Sequence, residues 1–116
     1  MFQQMSQGGG GGSMKEWKLA GELTGIATYP NGIPIPSDAQ EIFVLCKNRY
    51  SQVVAKNFPT CILSSEVMYA SDGFYIASNV NWSVSYDLYN TVVIPKNSTV
   101  NGANESSTLV TKVYYR

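Results

Sequence analysis

The residue types that carry most enzyme chemistry are scarce in this sequence. Histidine, the usual general base and the commonest metal ligand, does not occur among the 116 residues. Every Ser-His and Cys-His nucleophile arrangement is therefore excluded, although catalysis by a serine with a lysine is not. No lysine stands in a pattern that singles out a nucleophile. We therefore predict a protein that is not an enzyme and has no catalytic residues.

Ligands for metals and cofactors are equally dispersed. No two carboxylates lie at a spacing that forces both onto one site as an acid–base pair. No loop shows the alternating acidic ligands of a calcium site, and two cysteines without histidine cannot close a structural zinc site. The glycine run at residues 8–12 lacks the Lys-Ser/Thr pair of a phosphate loop. We expect no metal and no cofactor.

The two cysteines, Cys46 and Cys61, both lie in apolar segments, where a cysteine behaves as a small hydrophobic residue. Buried thiols are the favoured interpretation, because one pair of cysteines is not a disulfide framework. A disulfide between the two is the alternative that the sequence leaves open.

Aromatic residues offer a different chemistry, the stacking of a ring against a ligand. The chain contains eight tyrosines, and three of them stand beside turns or polar stretches where a ring can be exposed. An asparagine lies in the turn that follows the first of these. Core packing of the rings is the alternative interpretation. The candidate ligand or partner surface consists of Tyr29, Asn31, Tyr50 and Tyr89.

The charge balance bears on the class of partner. Eight Lys and Arg balance eight Asp and Glu, and the cations are scattered, so the chain shows no basic patch for nucleic acid. Charged residues make up only 14% of the chain, below the roughly 25% of a typical soluble protein. A nearly neutral surface rich in Asn, Ser and Thr is prone to self-association.

Two segments differ in composition. Residues 1–13 are rich in Gln and Gly and are predicted to form a flexible tail and linker, whereas residues 14–116 are predicted to form one domain. The linker is either a natural swivel or a remnant of cloning, and the sequence leaves both open. No stretch reaches the about 18 apolar residues that span a bilayer, and residues 1–13 lack the pattern of a signal peptide. We expect no membrane insertion.

Short runs with a period of two dominate the predicted domain. In the clearest run, residues 80–88, the even positions from Val80 to Leu88 are apolar and the odd positions are polar, which predicts a half-buried strand. In residues 41–45, Ile42 and Val44 point to one face and Phe43 and Leu45 to the other, which predicts a central strand covered on both sides. Core packing is the favoured interpretation for Trp17 and Trp82. Further strands are predicted at 16–20, 22–28, 51–56, 66–70, 74–77, 91–94 and 108–115.

Turn signals separate these runs. Residues 29–32, Asp72-Gly73 and Asn101-Gly102 are predicted turns, because Gly, Asn and Asp tolerate a positive φ. Ile33 to Pro36 is predicted to be an edge strand or a crossover, since proline cannot donate to a ladder. About eight or nine short strands with almost no helix signal predict an all-β fold, an antiparallel β-sandwich of jelly-roll type.

Five pattern elements carry a resemblance to a known family. They are a Trp-x-Leu opening (17–19), a Thr-Gly segment (24–25), a proline turn leading to an acidic residue and an apolar strand (35–45), a Gly-Phe-Tyr-Ile strand (73–76) and a closing Tyr-Tyr-Arg (114–116). In this combination, residues 14–116 resemble the C-terminal domains of tail, tail-fibre and related virion proteins of bacteriophages that infect Gram-positive gut bacteria. These elements include no active-site motif.

The resemblance implies a β-sandwich head in a virion, made in the host cytoplasm and oligomeric, with a trimer favoured. Its implied partners are copies of itself, other virion proteins and a cell-surface glycan. The chain departs from the family pattern in being short and lacking a fibre shaft, so a capsid-associated or accessory virion protein is an alternative. The tyrosines near turns motivate a second hypothesis, a carbohydrate-binding module or adhesin unit of a bacterial surface protein.

Overall fold

The computed structural model describes the backbone of residues 15–60, 68–77 and 80–116, and the side chains of residues 15–60 and 81–116. These residues form nine strands in two antiparallel sheets. One sheet has four strands in the spatial order β1 (Lys18–Thr24), β9 (Val110–Tyr115), β3 (Glu41–Lys47) and β4 (Val53–Pro59). The other has the order β2 (Ile33–Pro34), β7 (Val92–Val100), β6 (Val80–Tyr89) and β5 (Met68–Ala77), with β8 (Ala103–Asn104) paired to β7.

The predicted all-β sandwich of eight or nine short strands is therefore confirmed. The first strand lies beside the last, and β2 lies beside β7. The pairs β3–β4 and β5–β6 join strands that follow one another in the chain. No helix in the described part of the chain is long and apolar enough to cross a bilayer.

Alternate side chains of both sheets fill the core. On β6, the even positions Trp82 to Leu88 are all buried, as the period-two pattern predicts. They face the even positions of β3, of which Ile42 and Val44 are at most 1% exposed. Cys46 is buried in the same cluster, as predicted, whereas Cys61 lies outside the described residues.

Two predicted strand breaks are wrong. Residues 16–20 and 22–28 are not separate strands, because β1 runs through Gly21 with a bulge between Leu19 and Gly21. Gly21 permits close packing rather than a turn, since a Cβ there would lie 2.9 Å from Ile33 Cγ2.

Asp72-Gly73 is the second wrong break. These residues lie within β5 and pair with Val84 and Ser83 of β6, so the turn predicted there does not exist. The ladder with β6, which is regular from Met68 to Tyr75, outweighs the local turn preference of the Asp-Gly pair.

A third prediction, a strand at residues 91–94, was too short. β7 continues to Val100 although it contains Pro95. The proline is accommodated because the register between β6 and β7 shifts at this point, and its carbonyl accepts a hydrogen bond from Ala27 N–H at 3.0 Å.

The other turn signals are confirmed. Asn31 N–H donates to the Thr28 carbonyl at 2.8 Å, which closes the turn before β2. Asn101 and Gly102 have positive φ values of 51° and 81° and join β7 to β8. Ile33 and Pro34 form the edge strand of the five-stranded sheet, where a missing N–H costs little.

The contribution of one buried hydrogen bond to the stability of this core can be tested. The Trp82 indole N–H donates to Ser98 Oγ at 2.9 Å, and both residues are fully buried. Ser98→Ala removes the acceptor, so we expect the free energy of unfolding to fall by about 1–3 kcal/mol, measured by urea denaturation. Ser107→Ala, at an exposed position, is the control and should change it by less than about 0.5 kcal/mol. Equal stability of the two variants would contradict the assigned role.

Candidate binding surfaces

The structure separates the four candidate surface residues into two groups. Tyr29 and Tyr89 are in contact, and Asn31 lies in the same connection as Tyr29. Tyr50 lies in the β3–β4 connection at the opposite end of the sandwich, near Glu105 and the C-terminal end of β7. Only Tyr29, Asn31 and Tyr89 can therefore contribute to one site.

Tyr29 and Tyr89 form an edge-to-face pair. Their ring centroids are 5.0 Å apart and their planes are inclined by 72°. Tyr29 is 41% exposed, whereas Tyr89 is half-buried. The amide nitrogen of Asn90 donates to the Tyr29 hydroxyl at 2.6 Å. We call Tyr29, Asn31, Tyr89 and Asn90 the aromatic platform.

The β6–β7 hairpin positions one side of the platform. Asn90 and Thr91 have positive φ values of 52° and 60°, as in a two-residue type I′ turn. The turn is anchored from outside the hairpin, because Ile35 N–H donates to the Thr91 carbonyl at 2.8 Å. Tyr89 ends β6 on an odd position, so it points away from the core that the even positions fill.

The β1–β2 connection positions the other side. Its start is tied to β7 by the hydrogen bond from Ala27 to Pro95. Its end lies directly on β7, because a Cβ on Gly32 would collide with the Val93 carbonyl oxygen. This close approach requires glycine and also buries Val92 and Ile94 on the outer side of β7. Tyr29 therefore projects from a segment that is held at both ends.

The charges beside the platform balance. Asp87, two residues before Tyr89 on the same side of β6, lies 3.9 Å from the ammonium group of Lys96. The Asp87 and Lys96 side chains are 22% and 41% exposed. The platform therefore combines an exposed ring and exposed amides, with one ion pair beside them.

Tyr50 is held differently. The Arg49 guanidinium carbon lies 4.8 Å from the Tyr50 ring centroid, and an Arg49 nitrogen donates to the Tyr50 hydroxyl at 2.8 Å. Arg49 also pairs with Glu105 at 2.8 Å. The Glu105 carboxylate and the neighbouring Tyr50 raise the pKa of Arg49 above its usual value. The Tyr50 ring is 47% exposed but is paired with a cation.

A second surface was not predicted from the sequence. Trp17, interpreted above as a core residue, lies instead on the side of the four-stranded sheet that faces away from the core. Its ring is 5.8 Å from that of Phe43, and the Arg116 guanidinium lies 4.3 Å from its centroid. Phe43 in turn lies 6.5 Å from Tyr114. The interpretation failed because Trp17 precedes β1 and packs along its own sheet rather than between the sheets.

Aliphatic side chains extend this surface over all four strands. Leu19 on β1 and Val53 on β4 are 52% and 49% exposed. Leu45 on β3 and Val110 on β9 are half-buried. We call the surface formed by Trp17, Leu19, Phe43, Leu45, Val53, Val110 and Tyr114 the apolar face. In the sequence, Phe43 and Leu45 at odd positions of β3 indicated the apolar face. They were instead interpreted as evidence that this strand is covered on both sides.

Titratable groups are sparse in the described parts of the chain. Within them, no three Cys, Asp or Glu side chains lie close enough to hold a metal ion. An ion pair joins Arg116 Nε to Glu41 Oε1 at 3.0 Å at the edge of the apolar face.

The loop that carries Tyr50 provides a test of how that end is held. Asn48 is 2% exposed, and its side-chain oxygen accepts hydrogen bonds from the backbone N–H groups of Tyr50 and Gln52 at 2.9 and 3.1 Å. Asn48→Ala removes this acceptor, so we expect the free energy of unfolding to fall by about 1–3 kcal/mol in urea denaturation. The exposed Asn57→Ala is the matched control. Equal free energies of unfolding for Asn48→Ala and Asn57→Ala would contradict the expectation.

Comparisons with known proteins add no relative from which a role could be transferred. No family model, no curated protein and no solved structure is significantly similar to the chain. The functional proposals below therefore rest on the described residues and on the sequence patterns.

Proposed function

We propose that the chain is a non-enzymatic structural and attachment domain of a bacteriophage virion, in a tail fibre, a baseplate or a capsid-associated protein. It assembles with copies of itself, a trimer being favoured, and with other virion proteins, and it presents a surface to the host. The resemblance of residues 14–116 to such domains supports this proposal, and the lack of histidine favours binding over catalysis.

The apolar face is the observation that carries the proposal. Strands about 4.8 Å apart and about seven residues long give the whole outer face of this sheet, polar residues included, an area of roughly 300–400 Å². The largest apolar patch of a soluble domain is often a functional surface, and one whose side chains come from all four strands of a sheet is a candidate protein–protein interface. Trp, Tyr and Phe, which are enriched in interface cores, all occur in it.

The surroundings of the apolar face also fit an interface. Charged side chains lie at its edge or between its apolar residues: Glu41 and Arg116 are paired with each other, and Glu22 stands opposite Lys112 in the register. The Glu41–Arg116 pair fits the polar rim that is usual around interfaces, whereas Lys112 lies within the face, opposite Leu45 of β3. The net charge of the chain is zero, so copies do not repel one another at long range.

Lysine substitutions test the apolar face. We expect the wild-type chain to be oligomeric by size-exclusion chromatography with light scattering, and Leu19→Lys and Val53→Lys to shift it to monomers, because a charge must be desolvated in the interface. Ile26→Lys is the control: Ile26 is 53% exposed, like Leu19, but lies in the β1–β2 connection. A wild-type chain that is monomeric at high concentration, or a control with the same effect, would contradict assembly through this face.

A carbohydrate-binding module or adhesin unit of a bacterial surface protein is the second candidate. The contact between Tyr29 and Tyr89, two of the residues singled out for stacking, favours it. The genomic neighbourhood separates the candidates. Adjacent virion genes support the first, and a reading frame fused to a bacterial surface anchor supports the second.

A further inference from the structure

We infer that the aromatic platform binds a single uncharged pyranose ring, with the Tyr29 ring beneath the sugar and the Asn90 and Asn31 amides at its hydroxyl groups. The platform lies on the five-stranded sheet, away from the apolar face, so this inference does not depend on assembly through that face.

Tyr29 supplies the stacking surface. The C–H groups on one side of a pyranose carry partial positive charge and are attracted to the negative face of an aromatic ring. Two rings inclined by 72° cannot both lie flat beneath one sugar. Tyr29 is the more exposed ring, at 41%, and Tyr89 supports it from the side at a centroid distance of 5.0 Å.

The amides supply the polar contacts. Asn90 uses one amide hydrogen for the Tyr29 hydroxyl, at 2.6 Å, and is itself exposed. An amide group has a second hydrogen and an oxygen that accepts, so it can both donate to and accept from sugar hydroxyls. The Tyr29 hydroxyl, which accepts from Asn90, still has its own proton to donate. Asn31 is exposed in the same connection.

The backbone on both sides of the platform is held in place, which lowers the entropic cost of binding a ligand as small as a single sugar. The hairpin is anchored through Thr91, and the β1–β2 connection through Ala27 and Gly32. Little backbone freedom is therefore lost on binding, and tyrosine contributes contact area with only two side-chain torsions to order.

Charge and size narrow the ligand class. Asp87 and Lys96 are paired with each other beside the platform, so this pair offers no net charge to a carboxylate or a phosphate on the ligand. The platform exposes one aromatic ring, that of Tyr29, and not a broad apolar patch, so its size suits a ligand such as one sugar. A neutral hexopyranose or N-acetylhexosamine fits both limits.

Saturation-transfer NMR on the full chain tests the inference. The probes are methyl β-glucopyranoside, methyl β-galactopyranoside and N-acetylglucosamine, with N-acetylneuraminic acid as the charged comparison. We expect saturation of the protons on one side of at least one neutral probe and weaker binding of the charged probe. Tyr29→Ala should weaken binding about tenfold, whereas Tyr29→Phe, which keeps the ring and loses only the hydroxyl contacts, should weaken it about threefold.

The chain offers a matched control and a second variant. Tyr50→Ala removes a tyrosine of similar exposure, 47% against 41%, from the other end of the sandwich and should leave binding unchanged. Asn90→Gly keeps the positive φ of 52° but loses the amide, so binding should weaken while the hairpin stays folded. If Tyr29→Ala does not fold, Asn90→Gly serves as the test variant in its place.

Several results would overturn the inference: no binding of any neutral probe, stronger binding of the charged probe, or equal losses for Tyr29→Ala and Tyr50→Ala. Asn90→Gly with wild-type affinity would exclude the amide contact. The oligomeric state, measured on the same samples, reports on the apolar face separately, so failure of one proposal is distinguishable from failure of the other.

Discussion

The packing of the even-numbered side chains of β6 against β3 is the interaction on which the other features depend. Trp82, Val84 and Leu88 are each at most 1% exposed, and each such side chain stabilises the fold by about 1.5–3 kcal/mol on burial. Because strand side chains alternate, this burial also forces Asp87 and Tyr89 to the outside. A slip of one residue would bury Asp87 and expose Trp82, so the core selects the register, and the register places the aromatic platform.

The same alternation explains how much of the fold could be predicted from the sequence. Three features could be predicted because each depends on a few adjacent residues. They are the inward face of β6, the central position of β3 and the edge position of Ile33-Pro34. The continuous β5 was not readable, because its Asp72-Gly73 pair resembles a turn locally and is straightened only by its pairing with the distant Val84 and Ser83. Tertiary pairing outweighs local preference at such points.

The candidate site was readable only in part, for a similar reason. Tyr29, Asn31 and Tyr89 were recognisable as residues beside turns, but their meeting is a long-range event that joins a crossover to a hairpin. Asn90 completes the group through a hydrogen bond that no local pattern indicates. Trp17 and Phe43 were misjudged because a large aromatic residue indicates burial, yet not whether the cover comes from the opposite sheet or from neighbours in the same sheet. The two described surfaces thus differ in character: the apolar face draws side chains from four strands, whereas the aromatic platform is small and carries exposed amides.

The anchoring of the β1–β2 connection separates recognition from architecture. Ala27 and Gly32 hold the segment on β7 through a backbone hydrogen bond and a close backbone approach, and neither contact depends on the side chains at 28, 29 and 31. Those intervening side chains are free to diversify while the scaffold beneath them stays constant. Related domains can therefore change their ligand specificity through substitutions at these few positions while the scaffold stays the same.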